Sequence, residues 1–321
     1  MSGVQNIIVS KEENGQRLDR WLGKKGVPFF LVHKFCRSGQ LRIDGKRAKA
    51  DVRLVEGQNV RVPPYTPKDS TPHKGPVKLS EKDRAYIKSL VIYDDGQIIA
   101  LNKPSGLATQ GGTNMKQHVD RLLVGLADKD GIKPHLVHRL DKGTSGIMVV
   151  AKNQKCHEGL VLLFSDHNIE REYQALVMKT KLAAGAAIET TLGRHPQNRL
   201  KMAADVKQGK RAKTFYKVLE NLPTCTHVSC TLETGRTHQI RVHMSQMLQA
   251  PILMDPLYGS PKDHLNRLPA QVSSYLKDYP HPLLHARKLG FIHPITKEEL
   301  LFEKEPPEVF AHTLELLRSL S

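Results

Sequence analysis

One run of the chain gathers groups suited to chemistry: His135-Leu136-Val137-His138-Arg139-Leu140-Asp141-Lys142-Gly143-Thr144-Ser145-Gly146. A single carboxylate stands among cations, and turn formers then lead into the apolar stretch 146–151. Such a segment sets Asp141 on a rigid loop at a strand edge, where its carboxylate can face a cleft. An aspartate that only caps its own turn has the same local signature, and spacing alone leaves both readings open. A second run, Leu232-Glu233-Thr234-Gly235-Arg236-Thr237-His238-Gln239-Ile240-Arg241-Val242-His243, carries more arginine and histidine than a solvated strand needs. A third, Asn102-Lys103-Pro104-Ser105-Gly106, is a turn with a lysine at its start. A fourth, Arg171-Glu172-Tyr173, places an aromatic at the head of an alternating strand.

Several other site patterns are missing. The chain has neither a G-x-x-x-x-G-K-[ST] loop nor a G-x-G-x-x-G turn. In Gly143-Thr144-Ser145-Gly146 the second glycine falls one position too early for a nucleophile elbow, so Ser145 is not expected to be a hydrolase nucleophile. Cys225, His227 and Cys230 have no second Cys/His pair, so inert strand cysteines and no bound metal are expected.

Charge narrows the partner. Among 321 residues, 49 Lys and Arg outnumber 32 Asp and Glu, giving a formal net charge of +17. An excess of that size suits a polyanion, and phosphate contacts supply most non-specific affinity for nucleic acid. No apolar run approaches a membrane span, and four cysteines are too few for a disulfide scaffold. The first residues show no secretory or organellar pattern, so a reducing, cytoplasmic location is expected.

The elements that must position these groups fall into two parts. Residues 1–62 hold 13 Lys and Arg against 6 Asp and Glu. Leu18, Trp21 and Leu22, then Leu31, Val32, Phe35 and Cys36, mark two short helices that Pro28 separates and Gly39 ends. Asp44-Gly45 predicts a hairpin, and Val52, Leu54, Val60 and Val62 alternate around Glu56-Gly57. Arg17, Arg20, Lys34, Arg37, Arg42, Lys46 and Arg47 are expected on the solvent side, a small α/β RNA-binding module. Residues 63–84 are rich in proline and read as a linker. Residues 85–321 read as one larger α+β domain, with a hairpin at Asp94-Asp95-Gly96, a buried strand at 146–151, a helix over 154–168 and a strand from Glu172. Residues 194–217, with eight Lys and Arg and the single acid Asp205, read as a phosphate-facing insertion, with an ordinary basic hairpin the equal alternative.

Taken in order, the four runs resemble the RluA family of RNA pseudouridine synthases: H-R-L-D-x-x-T-S-G is met by residues 138–146, and the N-K-P-S-G turn, the basic-x-Tyr strand and the G-R-T-H-Q-I-R-V-H strand follow at the family's spacing. The match covers about 85–310, and G-Q-R-L-D-R-W-L with R-S-G-Q-L-R-I-D-G-K resembles the small RNA-binding domain named after ribosomal protein S4. The resemblance implies a mixed, largely antiparallel sheet and an enzyme that isomerises uridine in RNA. Large-subunit ribosomal RNA is the expected substrate; transfer RNA, or a non-catalytic role in ribosome assembly, are the alternatives. Reactant and product are isomers, so no cofactor is expected, and the protein is expected to act as a monomer.

The resemblance also assigns residues. Asp141 is the expected catalytic carboxylate. Arg241, with Arg236 as the fallback, is the expected guanidinium beside it, since a cation keeps a desolvated carboxylate ionised. Tyr173 is expected to stack on the extruded uracil, and Arg139 to enter the RNA stack in its place. His138 and Arg236 complete the RNA contacts expected around the cleft, Lys103 is expected either to meet an RNA phosphate or to support the pocket, and Arg17, Arg20, Arg37 and Lys46 are the contacts expected of the front module. Two departures stand out: Met254-Asp255-Pro256-Leu257-Tyr258-Gly259 lacks the first glycine of the family's G-D-x-x-Y-G, and Arg171 stands where lysine is common.

Overall fold

A computed structural model describes residues 3–65, 79–111 and 117–320. The chain divides into two compact units, Met1–Val77 and Lys78–Ser321. In the first, β1 (Gln5–Ile8), α1 (Leu18–Lys24), α2 (Phe29–Ser38), β2 (Arg42–Ile43), β3 (Lys46–Arg47) and β4 (Asn59–Val62) follow one another. The strands form one sheet in the order β1-β4-β2-β3. Trp21, Leu22, Leu31, Val32 and Phe35 pack together beneath it, so each helix buries the stripe that its apolar spacing marks. Gly39 closes α2 in the left-handed conformation, and Asp44 and Gly45 turn the β2–β3 hairpin with φ +49° and +77°. One element is added here and one expectation changes. β1 carries no strong sequence signal yet pairs along β4 from Gln5–Val62 to Ile8–Asn59. Residues 52–54 are not a strand; only Arg53 bridges to Arg17.

The second unit begins with α3 (Glu81–Ser89), capped by Ser80, so residues 79–84 belong to this unit and not to a linker; much of the remainder of that expected linker, 66–78, lies outside the described residues. There follow β5 (Val91–Asp94), β6 (Ile98–Lys103), α4 (Val119–Leu122), β7 (His135–Leu136), β8 (Ser145–Ala151), α5 (Gln154–Ser165) and β9 (Glu170–Val177). Then come β10 (Gly185–Arg194), β11 (Met202–Ala204), β12 (Lys210–Asn221), β13 (Thr226–Leu232) and α6 (Gln239–Val242). The chain ends with α7 (Pro261–Arg267), α8 (Ala270–Leu276), β14 (Leu284–Ile292), β15 (Glu299–Glu303) and α9 (Glu308–Arg318).

The strands form one mixed sheet in the order β11-β10-β12-β13-β9-β14-β8-β6-β5, with β15 on β14 and β7 on β8. The β14–β8 pair is parallel and the other pairs are antiparallel, giving the α+β class. β8 is buried on both faces, as its unbroken apolar run requires. At its start Gly146 has φ +112°, and a side chain there would meet the Ala286 backbone at 2.2 Å. Glycine is needed at that joint for both reasons. The Ser145 hydroxyl donates to His285 Nδ1 at 2.9 Å, and His285 Nε2 donates to the Lys304 carbonyl. Buried so, Ser145 ties β8 to β14 and has no route to a substrate. Cys225 and Cys230 lie in the core, where burial pushes both thiols up to about 12, which suits inert residues.

No helix among the described residues is long and apolar enough to cross a membrane.

Candidate active site

The loop between β7 and β8 carries Asp141 and is clamped by the segment after β6. Thr109 Oγ1 donates to the Leu140 carbonyl at 2.7 Å and accepts from Leu140 N at 3.1 Å. Gly106 N donates to the Lys142 carbonyl at 2.8 Å, and Thr144 N closes a turn onto the Asp141 carbonyl. Leu140 is buried in the core between these bonds, so the backbone on either side of Asp141 is fixed. The Asp141 side chain keeps 15 % of its surface exposed, enough to be reached from the pocket.

Across the pocket stands α6, a single turn entered through His238 in the left-handed conformation, φ +58°. Arg241 Nη1 lies 3.4 Å from Asp141 Oδ2. Its other nitrogens grip a second carboxylate: Nε to Asp255 Oδ2 at 2.7 Å and Nη2 to Asp255 Oδ1 at 2.8 Å. Asp255 is wholly buried, and its Oδ1 also accepts from Leu257 N and Tyr258 N. Burial alone would lower the Arg241 pKa, but Asp255, with Asp141 and Tyr258 adding to it, holds the guanidinium above its ordinary value. Asp255 thus aims the fork of Arg241, leaving one nitrogen for Asp141. The Tyr258 ring lies under the guanidinium at 5.0 Å, and its hydroxyl sits 2.7 Å from His238 Nδ1. His238 Nε2 in turn faces Asp141 Oδ2 at 3.8 Å. Burial, aided by Arg241 and opposed by Asp141, lowers the His238 pKa and keeps its ring neutral.

Asp141, His238 and Arg241 line a pocket of about 410 Å³ together with Arg139, Phe164, Arg171, Tyr173, Gly235 and Arg236, with Asp255 and Tyr258 behind its wall. Its size is in the range of ligand sites. Tyr173 pairs with Cys230 and Ala286 at the centre of the sheet, and burial pushes its phenol up to about 12, so it stays neutral. Among the described residues no cluster of three or more His, Cys, Asp or Glu could hold a metal ion.

Residues 97–246 match the family described as RNA pseudouridylate synthase. Ribosomal large subunit pseudouridine synthase C of Vibrio vulnificus is 32 % identical over 98 % of this chain and 97 % of its own length. The chain belongs to the RNA pseudouridylate synthase family. Ribosomal large subunit pseudouridine synthase D of Xanthomonas campestris is likewise 32 % identical, over 99 % of this chain and 93 % of its own. Among solved structures, human RNA pseudouridylate synthase domain containing 4 superposes with a TM-score of 0.60 at 26 % identity, covering 74 % of this chain and 97 % of that one.

In this pseudouridine synthase the expected site residues divide. Asp141, Arg241 and Tyr173 meet at one pocket, and it is Arg241, not the fallback Arg236, that stands beside the carboxylate. Arg236 lies at the wall, where its Nε donates to the Arg211 carbonyl, and Arg139 is exposed at the mouth. Of the two roles open to Lys103, burial favours support of the pocket over a phosphate contact. The side chain is fully buried, and its ammonium donates to the carbonyls of Pro104 and Leu107, with that of Lys142 at 3.5 Å. Burial lowers it to about 7 while Asp141 opposes the shift, so this lysine stitches the pocket floor from within.

His138 is not a cationic contact. Its Nε2 accepts from Val149 N at 2.9 Å, its ring stacks on Phe164 at 4.4 Å, and burial, with Arg171 adding to it, lowers it to about 3. Arg17 is committed to Asp19 through two hydrogen bonds, 2.6 and 3.2 Å, whereas Arg20, Arg37 and Lys46 are exposed. In the basic stretch 194–217, Arg211 and Lys213 are paired with Glu189 of β10 and with Glu233 just past the end of β13, which lessens the surplus charge expected there.

The expected G-R-T-H-Q-I-R-V-H strand is not one: β13 ends at Leu232, and residues 239–247 are helical. Residues 239–242 are buried all round, so the alternation of Ile240 and Val242 with polar neighbours has no solvent face to match. Sequence reasoning assigned no role to Asp255, Tyr258 or His238. The D-x-x-Y-G spacing was the available signal, since Asp255 must reach back 14 residues to Arg241. Met254, in place of the family's glycine, takes φ +62°, so the loop keeps the shape that glycine would favour.

Proposed function

We propose that this enzyme converts specific uridines of large-subunit ribosomal RNA to pseudouridine, with Asp141 as the catalytic carboxylate. One observation carries the assignment: a carboxylate on a clamped loop, open to a pocket, is paired at 3.4 Å with an arginine that a second, buried carboxylate aims at it. The choice of ribosomal RNA rests on the names of the two bacterial relatives, both large-subunit enzymes.

Pseudouridine formation breaks the bond between uracil nitrogen 1 and the ribose, turns the base, and joins its carbon 5 to the same sugar carbon. Asp141 either attacks the anomeric carbon or takes a sugar proton on a glycal route; both need an ionised carboxylate, which Arg241 favours. The target must first leave the RNA stack, at a cost of a few kcal/mol. Tyr173 offers a neutral ring to the extruded base, a contact worth about 1–3 kcal/mol, and the exposed Arg139 is placed to fill the gap left in the RNA. Arg236 meets phosphate at the rim. The first unit serves as an S4-type grip through Arg20, Arg37 and Lys46. The enzyme works in the cytoplasm as a single chain without a cofactor, because the reaction is an isomerisation.

Asp141→Asn tests the assignment. Assayed on unmodified large-subunit ribosomal RNA, it should form no pseudouridine while binding RNA within about twofold of wild type, since every phosphate-binding cation is still present. Retained turnover would refute the role of Asp141, and wild-type activity on transfer RNA alone would refute the ribosomal target.

A further inference from the structure

The pocket holds a second guanidinium, and it is treated very differently from the first. Arg171 lies on β9 two residues before Tyr173, so the two side chains share a face of the strand. It is 6 % exposed and lines the same pocket. Its Nη2 donates to the carbonyls of Leu232 and Glu233 at 3.3 and 3.0 Å. Its Nε is buried with no hydrogen-bond partner among the described residues. No carboxylate pairs with it among those residues, and the nearest compensation is the Phe164 ring at 6.0 Å. Burial pulls its pKa down, with only Tyr173 opposing. A buried, uncompensated cation is costly, and a fold that retains one in a pocket has placed it for a ligand.

The neighbouring backbone is shaped around it. A side chain on Gly235 would stand 2.6 Å from Arg171 Nη1, so the glycine leaves room for that nitrogen. Gly235 is not among the positive-φ residues, which makes its role one of space and not of backbone conformation. A phosphate would be met at the mouth, by the exposed Arg139 and the half-buried Arg236, not by a group this deep.

We infer, on the reading proposed above, that Arg171 stabilises the negative charge of the detached uracil. When the bond from nitrogen 1 to the ribose breaks, its electron pair leaves with the base and spreads over nitrogen 1 and the two carbonyl oxygens. This holds whether Asp141 attacks the sugar or takes its proton. Arg171 donates a hydrogen bond to one of those oxygens while the base turns, and Tyr173 supports the ring from the same strand. The pocket thus separates its charges: Arg241 serves the carboxylate and Arg171 the base. The base becomes neutral when its carbon 5 bonds to the sugar carbon, as the bond to Asp141 breaks or, on the glycal route, Asp141 returns the sugar proton. Carbon 5 then loses its proton and nitrogen 1 takes one up, so no proton is gained or lost overall.

The test compares single-turnover rate at saturating RNA with RNA affinity, on an RNA that the wild type modifies. Removing one preorganised donor to a developing anion lowers rates by about 10²–10³. Arg171→Gln should lose rate on that scale with affinity within threefold. Arg171→Lys, which keeps the charge, should recover at least tenfold of that loss. Gly235→Ala should reproduce part of it by displacing Nη1. An unchanged rate for Arg171→Gln beside an inactive Asp141→Asn overturns this inference and leaves the proposed function standing. A loss confined to affinity, with a shallower salt dependence, makes Arg171 a phosphate ligand and also overturns it. Equal losses in the Gln and Lys variants with lowered melting temperatures reduce Arg171 to a structural role. A wild type inactive on every RNA, or an active Asp141→Asn, fails the underlying reading first.

Discussion

The pocket and the surface of the first unit both depend on arginine, yet they use it in opposite ways. In the pocket, Arg241 is gripped by a wholly buried carboxylate at 2.7 and 2.8 Å and offers a single nitrogen to Asp141. On the first unit, Arg20, Arg37 and Lys46 stand in solvent, and of the expected contacts only Arg17 is held, by Asp19. A buried charge acts through where it points. An exposed charge acts through how many accompany it, and salt screens it. Substitutions in the two places should therefore be read out by different measurements.

The largest effect should come from the group that aims Arg241. Asp255→Ala leaves a buried guanidinium with one distant partner, and breaking a buried pair costs about 3–5 kcal/mol. In a unit of this size that is about 10 °C of melting temperature. Turnover at saturating RNA should fall as well, because nothing fixes the fork toward Asp141. An unchanged melting temperature and rate would show that Arg241 is positioned by its helix alone.

A smaller effect is expected on the other side of the comparison. Replacing Arg20, Arg37 and Lys46 together by Gln should leave turnover at saturating RNA unaltered. The slope of binding against salt should fall by about 0.9 for each duplex phosphate that is no longer neutralised. Arg17→Gln sharpens the contrast. Its guanidinium is already engaged with the buried Asp19, so it should lower the stability of the first unit and leave the salt slope alone. A slope unchanged by the triple substitution would remove the first unit from RNA binding.

How much of the molecule is legible in its sequence depends on distance along the chain. The Asp141 loop, the hairpins at Asp44-Gly45 and Asp94–Gly96, and the buried strand β8 each follow from neighbours in sequence. The pairing of Asp141 with Arg241 spans 100 residues, and its two motifs announce it only together. What stays hidden is the layer behind them. Lys103 reads equally as pocket support or as a phosphate contact, because nothing local shows that the carbonyls of Pro104, Leu107 and Lys142 converge on its ammonium. The α6 turn reads as a strand because burial on all sides erases the difference between periods of 2 and 3.6. Met254 marks a further limit. Its left-handed backbone costs about 1–2 kcal/mol, while its side chain is buried among Leu176, Leu253 and Leu283, where large-to-small changes cost about 2–5 kcal/mol. Packing outweighs strain, so the glycine can be absent without the loop changing shape.

The last effect separates the two units by acid and is absent at neutral pH. In the second unit His138 is lowered to about 3, and His227, His243 and His285 to about 4, each chiefly by burial. Unfolded, these rings titrate near 6.5, so below that pH the unfolded chain binds more protons than the folded one, and stability drops as the pH falls from 6.5 toward 4. In the first unit the shifted acids are Glu13, lowered to about 2 by Lys25 and the Ser10 backbone, and Asp19, lowered chiefly by Arg17. Their contribution is complete above their unfolded values and is lost only below about 4.5. The chain's one tryptophan, Trp21, lies in the first unit and is buried there, while seven of its eight tyrosines lie in the second. Denaturant midpoints followed by tyrosine near-UV dichroism should therefore fall between pH 6.5 and 4.5, and those followed by tryptophan emission should stay level across the same window. If both fall together, the acid sensitivity does not originate in the buried histidines of the second unit, and the electrostatic contrast between the units is wrong.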